Sequence, residues 1–307
     1  MGVDVHSLAL LAHARDLGAR FDRTLGIGRQ AVFVDPHDAA RIRGAAGLPT
    51  LGAPAGALPA YFEPLLAAAF GASQVDSIDA SPYENATFVH DMNRPLAAGS
   101  APLGAYDAVL DFGCLEHVFD FPTAWRNCVA ACKVGGHLLH ALPANNLLGH
   151  GFYQFSPELF FSLYRPERGF ELRAMFVATK AEPRHWWRVA DPRVLKRRVT
   201  LRNGHELYLL VVARKLADVA DLPAPQQSDY AEQVWTAPAS VDPAEAAAIR
   251  PSLRRRVVAG LAAAGLLDPL RAGREHLRAL RSAGFDLPAP DFERVDVLAL
   301  LREGRRA

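Results

Sequence analysis

Apolar residues along this chain change their spacing repeatedly, and most changes fall near a Gly or Pro. Leu8, Leu11, Ala12 and Leu17 recur at helical intervals and predict an N-terminal helix ending near Gly18. Arg23-Thr-Leu-Gly-Ile-Gly-Arg-Gln30 then reads as a strand running into a tight Gly turn, with Ala31–Asp35 a short extension closed by Pro36. Residues 37–73 are expected to be helical, interrupted by a Gly/Pro-rich break from Gly44 to Pro59. Strands follow at Val75–Asp79, Thr87–Asp91 and Tyr106–Asp111, then a helix from Pro122 to Lys133 stopped by Gly135-Gly136. His137–Leu142 is a further strand, ended by Pro143. Ser156-Pro157 supplies an N-cap and a first-turn proline for the next helix. Glu171–Lys180 and Glu206–Arg214 are late β-rich runs.

Strands alternating with helices predict an α/β protein with a mostly parallel sheet covered on both faces. Such sheets take ligands at the carboxyl ends of their strands, where the polar residues of this sequence cluster. Beyond Ala217, Leu222-Pro-Ala-Pro-Gln-Gln reads as a linker, and two or three helices are expected across 243–303. The domain reading is an N-terminal helix over 1–22, a main domain over 23–216, and a linker with a small helical appendage over 217–307.

Charge sharpens that division. The 307 residues carry 34 Lys+Arg against 33 Asp+Glu, a net charge of +1, which excludes a protein whose whole job is electrostatic. Half the residues are hydrophobic, enough for a core. Residues 250–307 hold twelve Arg and seven acids, about +5, leaving about −4 for the remainder. Three cysteines cannot make a disulfide framework. The first residues lack a basic targeting region, and the longest weakly polar run, Val257–Leu267, is about half a bilayer span. A cytoplasmic protein with no membrane span is expected. Four Lys among 34 basic residues, with abundant Ala, fit a bacterium with a GC-rich genome.

The strand ends present candidate chemistry in order. Gly26-Ile-Gly28 could let a ligand approach the backbone, or could simply form a turn. Asp79 could accept both hydroxyls of a ribose. Asp91 could bind an exocyclic amine, with Met92 against a ring. Either Asp could equally be a helix cap or turn residue. The fourth end is Tyr106-Asp-Ala-Val-Leu-Asp-Phe-Gly-Cys-Leu-Glu-His-Val118.

With Lys133-Val-Gly-Gly136 and the strand after it, that segment resembles the class I S-adenosylmethionine-dependent methyltransferases, over about residues 23–216. The resemblance implies a Rossmann-like seven-stranded sheet whose last antiparallel strand is the Tyr208-Leu-Leu-Val-Val-Ala-Arg214 run. Asn145–Glu158, with its GHGFYQFSPE segment, resembles a bacterial subgroup found among sugar and cell-surface tailoring genes. The cofactor implied is S-adenosyl-L-methionine, held by Gly26 and Gly28 at its methionine part, Asp79 at the ribose, and Asp91 and Met92 at the adenine. Asp111, Phe112 and Gly113 would face the methyl group. The pattern has departures. Gln30 stands where a third Gly is usual, and Thr24 where an acid is usual. About fifty residues separate Gly28 from Asp79, against ~20 in a compact βαβ unit.

Methyl transfer needs positioning and, for a weak nucleophile, a base. His117 and His150 are the candidate bases, with Tyr153 as an orienting group. The expected reaction is methylation, at oxygen, of a small or carbohydrate-like acceptor. An inactive scaffold of the same fold, or an NAD(P)-dependent oxidoreductase, are the alternatives. No metal is expected, because Gly113 stands three residues before Glu116-His117 where related quinone-type enzymes carry a carboxylate. Cys128 and Cys132 share a helix face and are expected to pack. Trp186-Trp187 reads as part of an acceptor pocket or as an apolar anchor. Arg271, Arg274, Arg278 and Arg281 fall on one helical face that could meet an anionic partner or a second copy; no nucleic-acid partner is expected.

Overall fold

A computed structural model describes residues 2–49, 58–201, 203–219, 224–231 and 290–306, with a few more between 257 and 273. Helix α1 is Val5–Asp16, and strand β1 is Arg23–Ile27. Helices α2 (Pro36–Ala46) and α3 (Phe62–Phe70) precede β2 (Gln74–Asp79), β3 (Phe88–Val89) and β4 (Tyr106–Asp111). A 3-10 turn at Leu115–His117 leads to α4 (Phe121–Ala131) and β5 (Cys132–Asn145). Then come α5 (Pro157–Leu163), β6 (Phe170–Ala178), β7 (His185–Val189), α6 (Pro192–Leu195), β8 (Leu207–Lys215), β9 (Phe292–Asp296) and α7 (Val297–Gly304).

Among the described residues the strands form one nine-stranded sheet in the order β3-β2-β1-β4-β5-β8-β6-β7-β9. The five strands from β3 to β5 are parallel, and β8, β6, β7 and β9 continue antiparallel. The α/β expectation with helices on both faces holds. The sheet has two strands beyond the seven expected, because β7 and β9 extend the β6 edge. Helices are expected from sequence across 243–303, yet Phe292–Asp296 is a strand lying antiparallel to β7. Its position is pinned by buried Asp291, which bonds the Arg197 guanidinium and accepts from Thr200 N at 2.8 Å.

The helix–strand boundaries carry their own caps. Asp35 accepts from His37 N at 2.8 Å, Asp120 from Thr123 N at 3.1 Å, and Ser156 Oγ from Glu158 N at 3.2 Å. Pro143 does not end β5. The strand runs on to Asn145, and its register against β8 shifts between Pro143 and Asn145. Gly135-Gly136 lies within β5 rather than before it, with Gly135 at φ +86°.

Two cores flank the sheet. On one face, α1, α2, α3 and α7 pack over Leu110, Leu139, Phe176, Trp186 and Leu210. On the other, α4 and α5 cover Val109, Leu138, Val211 and Trp187. Trp186 and Trp187 are therefore neighbours in sequence that anchor opposite cores, as strand alternation requires, and the apolar-anchor reading applies to both. Helix α1 is buried on almost every side, sandwiched between the sheet and the pair α2 and α7. Its His6 accepts from Trp186 Nε1 at 2.9 Å and meets Thr179 O at 3.1 Å, tying the helix to β7 and the end of β6. Cys128 and Cys132 are buried and unbridged, as packing residues should be, but they do not share a helix face, because α4 ends at Ala131 and Cys132 opens β5.

The linker segment around Leu222–Pro223 and the face of Arg271, Arg274, Arg278 and Arg281 lie outside the described residues. No helix among the described residues is long and apolar enough to cross a membrane.

Two expectations follow from this packing. Leu301, fully buried where α7 closes over α1 and α2, should cost about 2–5 kcal/mol when cut to Ala, read as a lower urea midpoint. His13 of α1 lies edge-on to Phe176, and burial, reinforced by the Arg188 charge, pushes its pKa down to about 4. Its folded value is depressed, so its contribution to stability is whole above pH 6.5 and is lost as pH falls toward 4. The slope should approach ~1.4 kcal/mol per pH unit. His13→Leu should flatten urea stability measured across that window.

Candidate functional site at the carboxyl edge of the parallel strands

Strands β1 and β2 are in register through Ile27 and Ile78, which brings the turn after β1 beside Asp79 at the end of β2. Gly28 sits in that turn at φ +73°, a region that favours glycine, and donates its N–H to Ile78 O at 2.8 Å. Asp79 is half-buried and accepts from Ser81 N at 3.3 Å. Gly26 has a different reason for being glycine: an added Cβ would lie 2.5 Å from the Phe62 ring. The close approach it allows is used by α3. Gln30 folds back over the turn, donating from Nε2 to Ile27 O at 2.5 Å and to Gly28 O at 3.3 Å. Its Oε1 is buried without a partner.

Asp91 is exposed and accepts from both the backbone N–H and the side-chain amide of Asn93, which holds its pKa down. Met92 is buried in the α4-side core. Asp111 turns inward. Its Oδ1 accepts from Cys114 N at 3.1 Å and Leu115 N at 3.2 Å, and its Oδ2 meets His140 Nδ1 at 2.9 Å. A carboxylate accepts, so Nδ1 carries the proton and Nε2 accepts from Tyr164 O–H at 2.5 Å; Trp125 Nε1 donates to the same hydroxyl at 3.1 Å. This chain is wholly buried. Phe112 is also buried, in the opposite core, and Gly113 turns the backbone at φ +93°.

The 3-10 turn that Asp111 caps presents Glu116 and His117. Glu116 is fully buried, and burial, with the Asp111 charge adding, pushes its carboxyl up to about 8. Its Oε1 lies 3.3 Å from His150 Nε2 and 3.7 Å from His117 Nε2. Burial lowers the pKa of both imidazoles, and for His117 the His150 charge lowers it further. The two rings meet edge to face at 5.0 Å. Thus the two histidines read from sequence as separate candidates converge on one acid. Tyr153 is near, but its hydroxyl donates to Phe119 O at 2.6 Å.

In the sequence His140 stands out only as a polar residue within a strand, and Glu116 only as half of an incomplete metal pair. A polar residue in an apolar strand, and an acid between Leu115 and His117, were the available signals. His150, which joins that pair in space, comes from the loop after β5.

Exposed apolar side chains mark the same edge. Phe33, Tyr83, Phe119, Leu148 and Phe152 each follow the carboxyl end of a parallel strand. Two cavities lie close by. One of about 360 Å³ is lined by Asp4, His6, Lys180 and Tyr208, and one of about 310 Å³ by Asn145, Glu158, Arg198 and Gln227. Phe112 lines the first; Gly28, Asp79, His117 and His150 line neither. The chemistry at the strand ends lies on an open edge, outside these two cavities.

No protein-family profile matches this chain, and no curated protein does. Solved structures are similar at low levels. The 1,6-didemethyltoxoflavin-N1-methyltransferase of Burkholderia thailandensis, solved with S-adenosylhomocysteine, is 15% identical over 69% of this chain and 78% of its own, with a TM-score of 0.38. The O-methyltransferase of a trans-AT PKS multienzyme from Brevibacillus brevis is 10% identical over 69% and 71%, with a TM-score of 0.38. YcgJ of Bacillus subtilis is 11% identical over 68% and 97%, with a TM-score of 0.35. Likenesses this distant carry no chemistry across to this chain. The strand order, read from the structure itself, stands without them.

The buried chain at Asp111 has a measurable cost. Tyr164→Phe leaves His140 Nε2 and Trp125 Nε1 without their partner and should lower stability by about 1–3 kcal/mol in urea unfolding. Tyr153→Phe, which removes an exposed bond, should cost less; the reverse order would contradict the role given to this chain.

Proposed function

We propose that the carboxyl edge of β1, β2 and β4 binds S-adenosyl-L-methionine and that the chain transfers a methyl group to a small or carbohydrate-like acceptor, at oxygen. The observation that carries this reading is Gly28 in a left-handed turn at the end of β1, beside the half-buried Asp79 carboxylate at the end of β2. The glycine leaves room for a ligand chain against the backbone, and the carboxylate can accept two vicinal hydroxyls. Asp91 would hold an amine at the next strand end. The cofactor, when bound, supplies an activated methyl on a sulfonium. For the chain's part, His117 or His150, held neutral by burial, would accept the proton of the acceptor hydroxyl at Nε2. The exposed rings of Phe119 and Phe152, edge to face at 6.0 Å, would pack against the acceptor.

A second reading, a scaffold of the same fold without activity, is favoured by Gln30. Its amide bonds the carbonyls of the Gly turn that a cofactor would approach. Calorimetric titration separates the two. S-adenosylhomocysteine should bind, and Asp79→Ala should weaken it by about 10–100-fold, the worth of a charge-assisted pair of hydrogen bonds. No heat with this ligand would favour the scaffold. Binding of NADH alone would sink the methyltransferase reading.

A further inference from the structure

We infer that Glu116, His117 and His150 form a binding site for a divalent transition-metal ion of the zinc, cobalt or iron class. One carboxylate oxygen and two imidazole nitrogens face one another, all within 4.8 Å. With bonds of ~2.1 Å, a cation holds adjacent donors roughly 3–3.5 Å apart; the 3.3 and 3.7 Å from Glu116 to the two histidines are close to that, and the two imidazole nitrogens, within 4.8 Å of each other, would draw together around an ion. Two imidazoles and a carboxylate suit nitrogen-preferring metals over magnesium or calcium, and three protein ligands leave positions open for water or substrate.

Glu116 itself points to a missing partner. It is fully buried, its Oε2 has no hydrogen-bond partner, and its Oε1 meets the two histidines. A buried acid with half its lone pairs unanswered is costly unless something else satisfies it. A cation between the three side chains would do so.

The backbone is arranged to hold the ligands together without the ion. Phe152 N donates to Glu116 O at 2.7 Å, fastening the loop after β5 to the 3-10 turn after β4. Between His150 and Phe152, Gly151 adopts φ +72°, and an added Cβ there would lie 2.8 Å from Glu116 O and 2.9 Å from Glu116 Cγ. A larger residue would push His150 away from the acid. At the far end of the loop, Asn146 Nδ2 donates to Asn203 O at 2.9 Å and His205 O at 2.8 Å.

The outer face of the site is open. The His117 and His150 side chains are 48% and 34% exposed, whereas Glu116 lies beneath them. Two residues beyond each histidine stands an exposed phenylalanine, Phe119 at 73% and Phe152 at 67%. The open coordination positions therefore suit an oxygen donor on a ligand with an apolar or aromatic body. This site stands on its own geometry and does not depend on the cofactor reading; an ion there takes the Nε2 atoms of both histidines, so their role as proton acceptor belongs to the metal-free chain.

Cobalt(II) titration of the full, untagged chain tests it through visible d–d absorbance, a signal that needs no activity. One ion should bind per chain and be displaced by zinc but not by millimolar magnesium. His117→Ala and His150→Ala should each weaken binding at least about 10-fold, while His37→Ala, an exposed histidine elsewhere, should not. Far-UV circular dichroism verifies that the variants fold, and Gly151→Ala should weaken binding with all three ligands kept. No saturable band, or a band unchanged in both ligand variants, would overturn the site. Cobalt binding without S-adenosylhomocysteine binding would leave the metal site intact and remove the cofactor reading; the converse would do the opposite.

Discussion

A carboxylate without access to water needs its lone pairs answered, and Asp111 is answered from two sides. Backbone N–H groups of Cys114 and Leu115 take one oxygen, and His140, its partner in register on β5, takes the other. The first pair of bonds shapes the 3-10 turn that carries Glu116 and His117. The second fixes β4 against β5, and Tyr164 and Trp125 extend the bonding to α5 and α4. Breaking any link would leave a buried polar atom unpaired, which costs more than the bond itself is worth. The turn that carries Glu116 and His117 is therefore built outward from one buried acid.

The second constraint acts on the opposite face. Helix α1 is buried nearly all round, with leucines and alanines beside buried His6, Ser7 and His13, so it is covered from more than one side. The sheet covers one side, and α2 with α7 covers the other. The segment 292–304 is thus needed by residues 5–16, although almost three hundred positions separate them. Buried Asp291 and its bonds to Arg197 and Thr200 hold that segment in place.

At the open edge, the two halves of the expected cofactor site behave differently. Gly28 and Asp79 stand side by side at the open ends of β1 and β2. Gly26 serves Phe62, Asp111 serves the turn, and Met92 serves the core. A residue type that suits a ligand also suits packing, and only its surroundings tell the two apart.

Much of this was legible in the sequence. The alternation of strands and helices, the Gly28 turn, the Ser156-Pro157 cap and the polar strand ends are written in residues a few positions apart, because local sterics and capping decide them. The mostly parallel sheet follows from that alternation. The sequence could not show that β7 and β9 would join the sheet, or that Trp186 and Trp187 would anchor different cores. Nor could it bring His150 to Glu116, 34 residues away, or His140 to Asp111, 29 away. Spacing encodes the face a residue occupies on its own element; which distant element meets that face depends on how the whole core packs, and that only the tertiary structure decided.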